Sequence, residues 1–352
     1  MQLFRSKKQE TLLGVDISST SVKVLELSVD GGRFRVEHYA IEPVPQNALQ
    51  EKVITDTETV GSVIAHALKR SQSRLTKAAA AVSGSAVITK VIDVDKTLSD
   101  SELDMQIRMD AEQYIPYPLS DVNLDFEVVG PSDISPHRKN VLLAASRKEN
   151  IESRVDSLEI GGLKAKVMDI EAYAIERAAS LIINDLEGAP DLVAVFDLGH
   201  SSSTLMVLHN EKIIYTREQA FGGAQLVEEI QRRYGMGYED ARNALLNSAL
   251  PEDYQQEVLL PYMELAVQQI CRSLQFFYSN NKFNDVDHIL LLGGSARMAG
   301  FSKLIKERLG NRVSIANPFV KMVFSSKIDP SALERDAPSL MVACGLALRS
   351  FE

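Results

Sequence analysis

The sequence predicts an α/β protein of two similar halves that face each other across a cleft, with a small α+β module set into the first half. Three observations carry this. An apolar run that ends in an aspartate and then hydroxyls occurs twice, at residues 12–20 and 195–203. Each copy opens a unit of strand, turn, strand, hairpin and strand, the mark of an internal duplication. Between the copies, residues 85–163 change to strand, helix, strand, strand, helix, a compact α+β pattern of its own.

Taken in order, Leu12-Leu13-Gly14-Val15-Asp16-Ile17 reads as a buried strand that stops at the hydroxyls Ser18, Ser19 and Thr20. Backbone N–H groups and hydroxyls in such a turn can face an anion. An aspartate at its mouth suits a hydrated magnesium better than bare phosphate. Lys23 begins the return strand, and Asp30-Gly31-Gly32 turns the chain into the alternating strand 33–39. Residues 53–70 read as a helix opened by a capping box, Thr55 with Glu58, and closed by Lys69-Arg70. The strand 78–82 then meets a turn at Ser83-Gly84-Ser85.

Inside the module, 87–94 is a strand and a helix opens at Ser99 with Glu102, stopping at Pro116 and Pro118. Strands follow over 122–129 and 140–145, and a second helix runs from Ser146 with Glu149 to Gly161-Gly162. Tyr114, Pro116, Tyr117 and Pro118 form either part of a peptide groove or a helix end packed by its tyrosines.

Residues 164–170 return to the sheet, and a helix rich in small residues begins at Glu171. The second turn presents Asp197, Gly199, His200, Ser201 and Ser202, and the strands after it lead to Phe221-Gly222-Gly223. Residues 224–285 are almost wholly helical, with apolar stripes at Leu226, Ile230, Tyr234 and at Val258, Tyr262, Leu265, Ile270, Leu274, Phe277. A third strand, 289–292, ends in Gly293, Gly294 and Ser295, and a second small-residue helix with Gly345 covers 337–348. Two facing phosphate turns plus a glycine pair for an adenosine describe a clamped nucleotide.

These elements resemble the phosphate-1, phosphate-2 and adenosine signatures of the actin, Hsp70 and sugar-kinase superfamily. With Glu112-Gln113-Tyr114-Ile115-Pro116-Tyr117-Pro118 and Phe221-Gly222-Gly223, the resemblance narrows to the FtsA-like branch and, within it, to the PilM family of type IV pilus assembly proteins. It implies an actin-like ATPase fold with an SHS2-like insertion of the FtsA 1C type. Subdomain 1A would cover 1–84 and 164–190, 1C would cover 85–163, 2A would cover 191–223 and 286–352, and helical 2B would cover 224–285. The implied ligands are ATP (or ADP) and Mg2+, the metal held by Asp16 and Asp197. The implied nucleotide contacts are Gly14, Asp16, Ser18, Ser19, Thr20, Lys23, Asp197, Gly199, His200, Ser201, Ser202, Gly222, Gly223, Gly293, Gly294 and Ser295. Glu171 falls where relatives place a water-orienting residue, although a carboxylate in a first helical turn also simply suits the macrodipole. The lysine that relatives supply from 2B falls at Leu245, with Glu239 or Arg242 as substitutes. Relatives carry glycine at the places of Ser18 and Ser201, so nucleotide binding is expected to survive better than fast hydrolysis.

The size, 352 residues, allows two or three domains with cores of their own. Hydrophobic and charged contents of 45% and 24% are those of a soluble globular protein, and a net charge of −10 argues against a general nucleic-acid binder. No membrane span is present. Residues 1–10 have no apolar core of a signal peptide, and Cys271 and Cys344 read as buried free thiols of a reducing compartment. A sugar kinase would need a catalytic base and a sugar site, neither of which is visible. A filament-forming, FtsA-like ATPase would carry an amphipathic C-terminal helix, whereas the chain ends at Arg349-Ser350-Phe351-Glu352. The resemblance therefore implies a cytoplasmic scaffold, at most a slow ATPase and capable of self-association. It would dock at the inner membrane by capturing the N-terminal tail of PilN, and through it the PilN/PilO/PilP platform.

Overall fold

The computed structural model describes residues 10–50, 52–132 and 135–352. The reading of the first ten residues therefore lies, Glu10 apart, outside the described residues. Two large sheets dominate. The first runs in the order Lys164–Ile170, Lys77–Val82, Leu13–Ile17, Ser21–Asp30, Arg33–Pro43, Val323–Phe324. The second runs Lys212–Gln219, Ser203–His209, Leu192–Leu198, His288–Leu292, Arg312–Ile315.

The duplication is visible in the pairing. In each half a central strand pairs antiparallel with the strand after it and parallel with a strand from farther along. Each central strand carries its aspartate at the next-to-last position, Asp16 opposite Lys23 and Asp197 opposite Thr204. The parallel strands are continuous apolar runs because both faces of the sheets are covered.

The chain's last segment returns to the first half. Val323–Phe324 pairs with Arg35 and Val36, and helix Met341–Leu348 lies against Leu13–Ile17 and crosses helix Glu171–Ile183. All eight residues of Met341–Leu348 are buried, in a core shared by residues of both sheets. The crossing is close because Gly345 has no side chain: a Cβ there would sit 1.7 Å from the Ala174 carbonyl oxygen.

The inserted module has its own core. Leu103, Ile107 and Ala111 of helix Asp100–Ala111, with Ile115 after it, pack on Ile92, Val94, Val141 and Leu143 of a three-stranded sheet. Its strand order is Val87–Asp95, Arg138–Arg147, Val122–Pro131, so both outer strands are edges. Helix Lys148–Ile160 packs elsewhere, on Thr57–Ser71 of the first half, where Gly61 makes room for Ile160 and Gly161 for Ile64. Its Leu158 belongs to the first half's core.

Several boundaries differ from the sequence reading for tertiary reasons. The first helix spans Thr57–Ser71, and its cap is Asp56, whose Oδ1 accepts from the Thr59 amide at 2.9 Å. Val53–Ile54 is drawn into a hairpin with Leu49–Gln50, and the Thr55 hydroxyl donates to the Asn47 carbonyl. The capping box of Ser99 and Glu102 is present as read. Ser146 opens no helix; its hydroxyl donates to the Ala86 carbonyl, and the helix begins at Lys148. Leu265 is 45% exposed, since the buried face of Leu260–Asn280 follows Met263, Ala266 and Val267 instead. Tyr114 and Tyr117, just past the helix end, are half-exposed, beneath Lys90 and Arg147 respectively.

Candidate functional site

The two aspartate turns meet. Ser19 Oγ of the first and Ser201 Oγ of the second lie 3.0 Å apart, which places the ends of both central strands at one cleft. On the first wall, strand register sets Lys23 beside Asp16, and its Nζ donates to Asp16 Oδ2 at 2.7 Å and to Ser18 Oγ at 2.9 Å. Ser18 Oγ in turn donates to the Ser21 carbonyl at 2.8 Å. Neither Ser18 nor Ser201 has a positive φ, so serine replaces glycine here without backbone strain. The Thr20 carbonyl accepts from the Val44 amide, fixing the turn to the strand end.

Asp16 and Lys23 are both buried, and this has a consequence for mutagenesis. Asp16→Ala would strand the Lys23 ammonium, at a cost of about 3–5 kcal/mol. Among the described residues Asp197 has no such ion pair, so Asp197→Ala is expected to leave stability nearly unchanged. Urea midpoints of the two variants check the contrast; equal losses would contradict it.

Asp197 stands on the second wall, partly open to the cleft. Burial pushes its carboxyl up to about 6; Glu171 and Asp16 add to the rise while Lys52 and Lys23 oppose it. Gly293 closes in from the neighbouring strand with a φ of 90°, and a Cβ there would lie 2.6 Å from Asp197 Oδ1. That position requires glycine both for its conformation and for its space.

Helix Gly223–Tyr234 is seated on the second turn. The Gly223 amide donates to the Gly199 carbonyl at 3.0 Å and the Ala224 amide to the His200 carbonyl at 2.8 Å. Gly222 lies so close that a Cβ would be 2.4 Å from the His200 oxygen. His200 Nε2 is hydrogen-bonded to the Tyr238 hydroxyl at 2.9 Å, and burial and then Arg242 hold the imidazole below its usual range. Ser202 Oγ donates to Glu218 Oε1 at 2.5 Å. Ser295 stands beside Gly223 and is hydrogen-bonded to Tyr262, while Gly294 is open.

The residues therefore separate into two groups. Asp16, Ser18, Ser19, Lys23, Glu171, Asp197 and Ser201 gather where the walls meet. His200, Gly222, Gly223, Ser295 and Arg242 gather at the helical side. Gly14 belongs to neither, since Ala343 and Ala347 of the C-terminal helix occupy the space of its missing side chain. Glu239 is largely exposed and approaches the second group only through Arg242, at 3.8 Å. Leu245, at the place of the expected lysine, packs into the helical core.

Three participants carry no signal in the sequence reading. Lys52 Nζ donates to Glu171 Oε2 at 2.9 Å. Arg154 holds the Lys52 backbone, and Tyr238 covers His200. Glu171 is thus in the first turn of its helix and also ion-paired through Oε2.

No group of three or more His, Cys, Asp or Glu residues gathers among the described residues in a way that would cage a metal. The carboxylates at the cleft are Asp16, paired with Lys23, Glu171, paired with Lys52, and Asp197.

Comparison with known proteins places the chain by family and fold. A family model described as type IV pilus assembly protein PilM matches residues 14–351. A solved PilM–PilN type IV pilus biogenesis complex is similar over 97% of this chain and 99% of that one, at 26% identity and a TM-score of 0.82. The ethanolamine utilization protein EutJ from Carboxydothermus hydrogenoformans is similar over 96% of this chain and 89% of that one, at 16% identity and a TM-score of 0.60. A Bacteroides thetaiotaomicron protein described as having an actin-like ATPase fold and unknown function is similar over 100% of both chains, at 8% identity and a TM-score of 0.50. The latter two are likenesses of fold alone, and the architecture is the actin-like ATPase fold. With nearly its whole length inside the family model, the chain belongs to the family of the type IV pilus assembly protein PilM.

Proposed function

We propose that this chain is a nucleotide-binding scaffold of a type IV pilus assembly platform. It holds ATP or ADP with Mg2+ between its halves and presents the inserted module to the N-terminal cytoplasmic tail of a PilN-type protein. Through that tail it joins a PilN/PilO/PilP platform at the cytoplasmic face of the inner membrane. The observation that carries the nucleotide part is the 3.0 Å contact of Ser19 with Ser201, which brings Asp16 and Asp197 to a single cleft. Phosphates would lie between the hydroxyl turns, and the adenosine would lie against Gly222, Gly223, Gly293, Gly294 and Ser295. No helix of the described residues is long and apolar enough to cross a membrane, which agrees with recruitment through a partner.

The module supports the partner part. Both outer strands of its sheet are open to an added strand. Met105 and Met109, one helical turn apart, are 66% and 68% exposed. Methionines of this kind adapt to a partner's shape.

Titration calorimetry tests the nucleotide site. Mg-ATP is expected to bind the native chain, and Asp197→Ala should lose that binding. Equal affinity in the two would remove the reading. Glu171 is occupied by Lys52, so turnover by the isolated protein is expected to stay well below about 1 per second.

A further inference from the structure

We propose that Lys52 is the cation that reads the terminal phosphate of the bound nucleotide, and that Arg154 is the residue that positions it. The inference rests on the nucleotide site proposed above and assigns it a residue outside the strand turns.

Lys52 reaches the cleft from the hairpin of Leu49–Gln50 and Val53–Ile54, far from either aspartate turn in sequence. Its φ of 67° is the left-handed backbone of a two-residue hairpin turn. Arg154 fastens that turn. Arg154 is 1% exposed, and among the described residues its guanidinium has no carboxylate partner. It donates instead to three backbone carbonyls: Nη2 to Lys52 at 2.9 Å, Nε to Ala81 at 2.9 Å and Nη1 to Asn150 at 3.1 Å. Burial holds its pKa below the usual arginine range, with Glu171 and Asp16 opposing. A fully buried cation that ties a strand carbonyl and a helix carbonyl to the hairpin turn makes a rigid peg for the Lys52 backbone.

The Lys52 side chain then meets Glu171 at the start of the connecting helix. Burial alone would lower its pKa, but the charges of Glu171, Asp197 and Glu218 more than offset that, and the ammonium stays charged. Those carboxylates come from both halves. Among the described residues the ammonium has one hydrogen-bond acceptor for its three donors. Lys23 spends donors on both Asp16 and Ser18, whereas Lys52 spends one on Glu171, so Lys52 has the larger remaining capacity for a phosphate. The groups acting on it belong to the second aspartate turn, to strand Lys212–Gln219 and to helix Glu171–Ile183, whereas Arg242 acts on His200 at the glycine cluster. Lys52 therefore stands at the phosphate end of the site, remote from the place of the adenosine. A lysine there acts as a compact point charge on phosphate.

The test compares Mg-ATP with Mg-ADP by titration calorimetry. Lys52→Gln is expected to weaken ATP on the order of tenfold or more, the value of a charge-assisted hydrogen bond. ADP affinity should change much less. Lys52→Gln/Glu171→Gln, which leaves no unpaired carboxylate, should show the same loss. Arg154→Met should narrow the ATP-over-ADP ratio in the same direction, and Arg154→Lys should restore part of it. Equal losses for ATP and ADP would mean a structural role, and an unchanged ATP affinity in both Lys52 variants would mean none; either result overturns the proposal. Asp197→Ala separates the two levels. If the native chain binds ATP, Asp197→Ala does not, and Lys52→Gln binds as the native chain does, the assignment of Lys52 falls while the nucleotide site stands. If the native chain binds neither nucleotide, both fall.

Discussion

Gly345→Ala is expected to destabilise the protein by about 3 kcal/mol or more, at the upper end for one added methyl in a packed interior. The new Cβ would lie 1.7 Å from the Ala174 carbonyl oxygen and 2.4 Å from its carbon, both backbone atoms of the crossing helix. Neither helix can retreat. Behind Met341–Leu348 lies Leu13–Ile17, where the space of a Gly14 side chain is already filled by Ala343 and Ala347. Arg177 fastens the crossing further by donating to the Gly345 carbonyl at 3.1 Å. Moving the helix would shift the strand that carries Asp16, so the nucleotide site should fail together with the fold. Gly84→Ala is the control, since nothing lies within 4 Å of the added Cβ. Urea denaturation followed by circular dichroism reads both. A Gly345→Ala midpoint equal to that of Gly84→Ala would show that the crossing relaxes.

Much of this architecture was legible because it is written locally. Each aspartate turn is a contiguous stretch, and the cap of Ser99 by Glu102 spans three residues. The duplication shows because both copies repeat strand, aspartate, hydroxyls and hairpin in one order. What escaped the reading is held by distant contacts. Lys52 and Glu171 are 119 residues apart and Lys52 and Arg154 are 102 apart, and no periodicity announces such pairs. Val53 and Ile54 look like the start of a helix because their hairpin partners are needed to show otherwise. Ser18 reads as a handicap if glycine is taken as the requirement. In the fold its φ is ordinary, and its hydroxyl joins the Lys23 network. Gly14 errs in the other direction: it sits in a phosphate-turn motif, yet its missing side chain makes room for a helix.

Excising the module separates its role from that of the nucleotide site. Ile88 and Ala145 face each other across the first strand pair, so Val87 and Ser146 are already neighbours. A short glycine-serine link in place of residues 88–145 therefore closes the chain without moving either stub. The excision removes a self-contained core and keeps helix Lys148–Ile160, whose Arg154 and Leu158 serve the first half. A cut extended to residue 160 would instead take Arg154 away and release the Lys52 loop. The excised protein is expected to fold and to bind Mg-ATP as the native chain does. A synthetic peptide matching the N-terminal cytoplasmic tail of the proposed PilN-type partner should bind the native chain with micromolar or better affinity, on the order of 8 kcal/mol. The excised protein should not bind it, because the open strand edges and the Met105–Met109 face leave with the module. Retained peptide affinity would move the partner surface to the body of the protein. Binding of the native chain to anionic vesicles without any peptide would remove the need for a partner at the membrane. The expected pattern, peptide lost and nucleotide kept, requires that the two sites share the first half but not a core, as the separate packing of module and helix 148–160 provides.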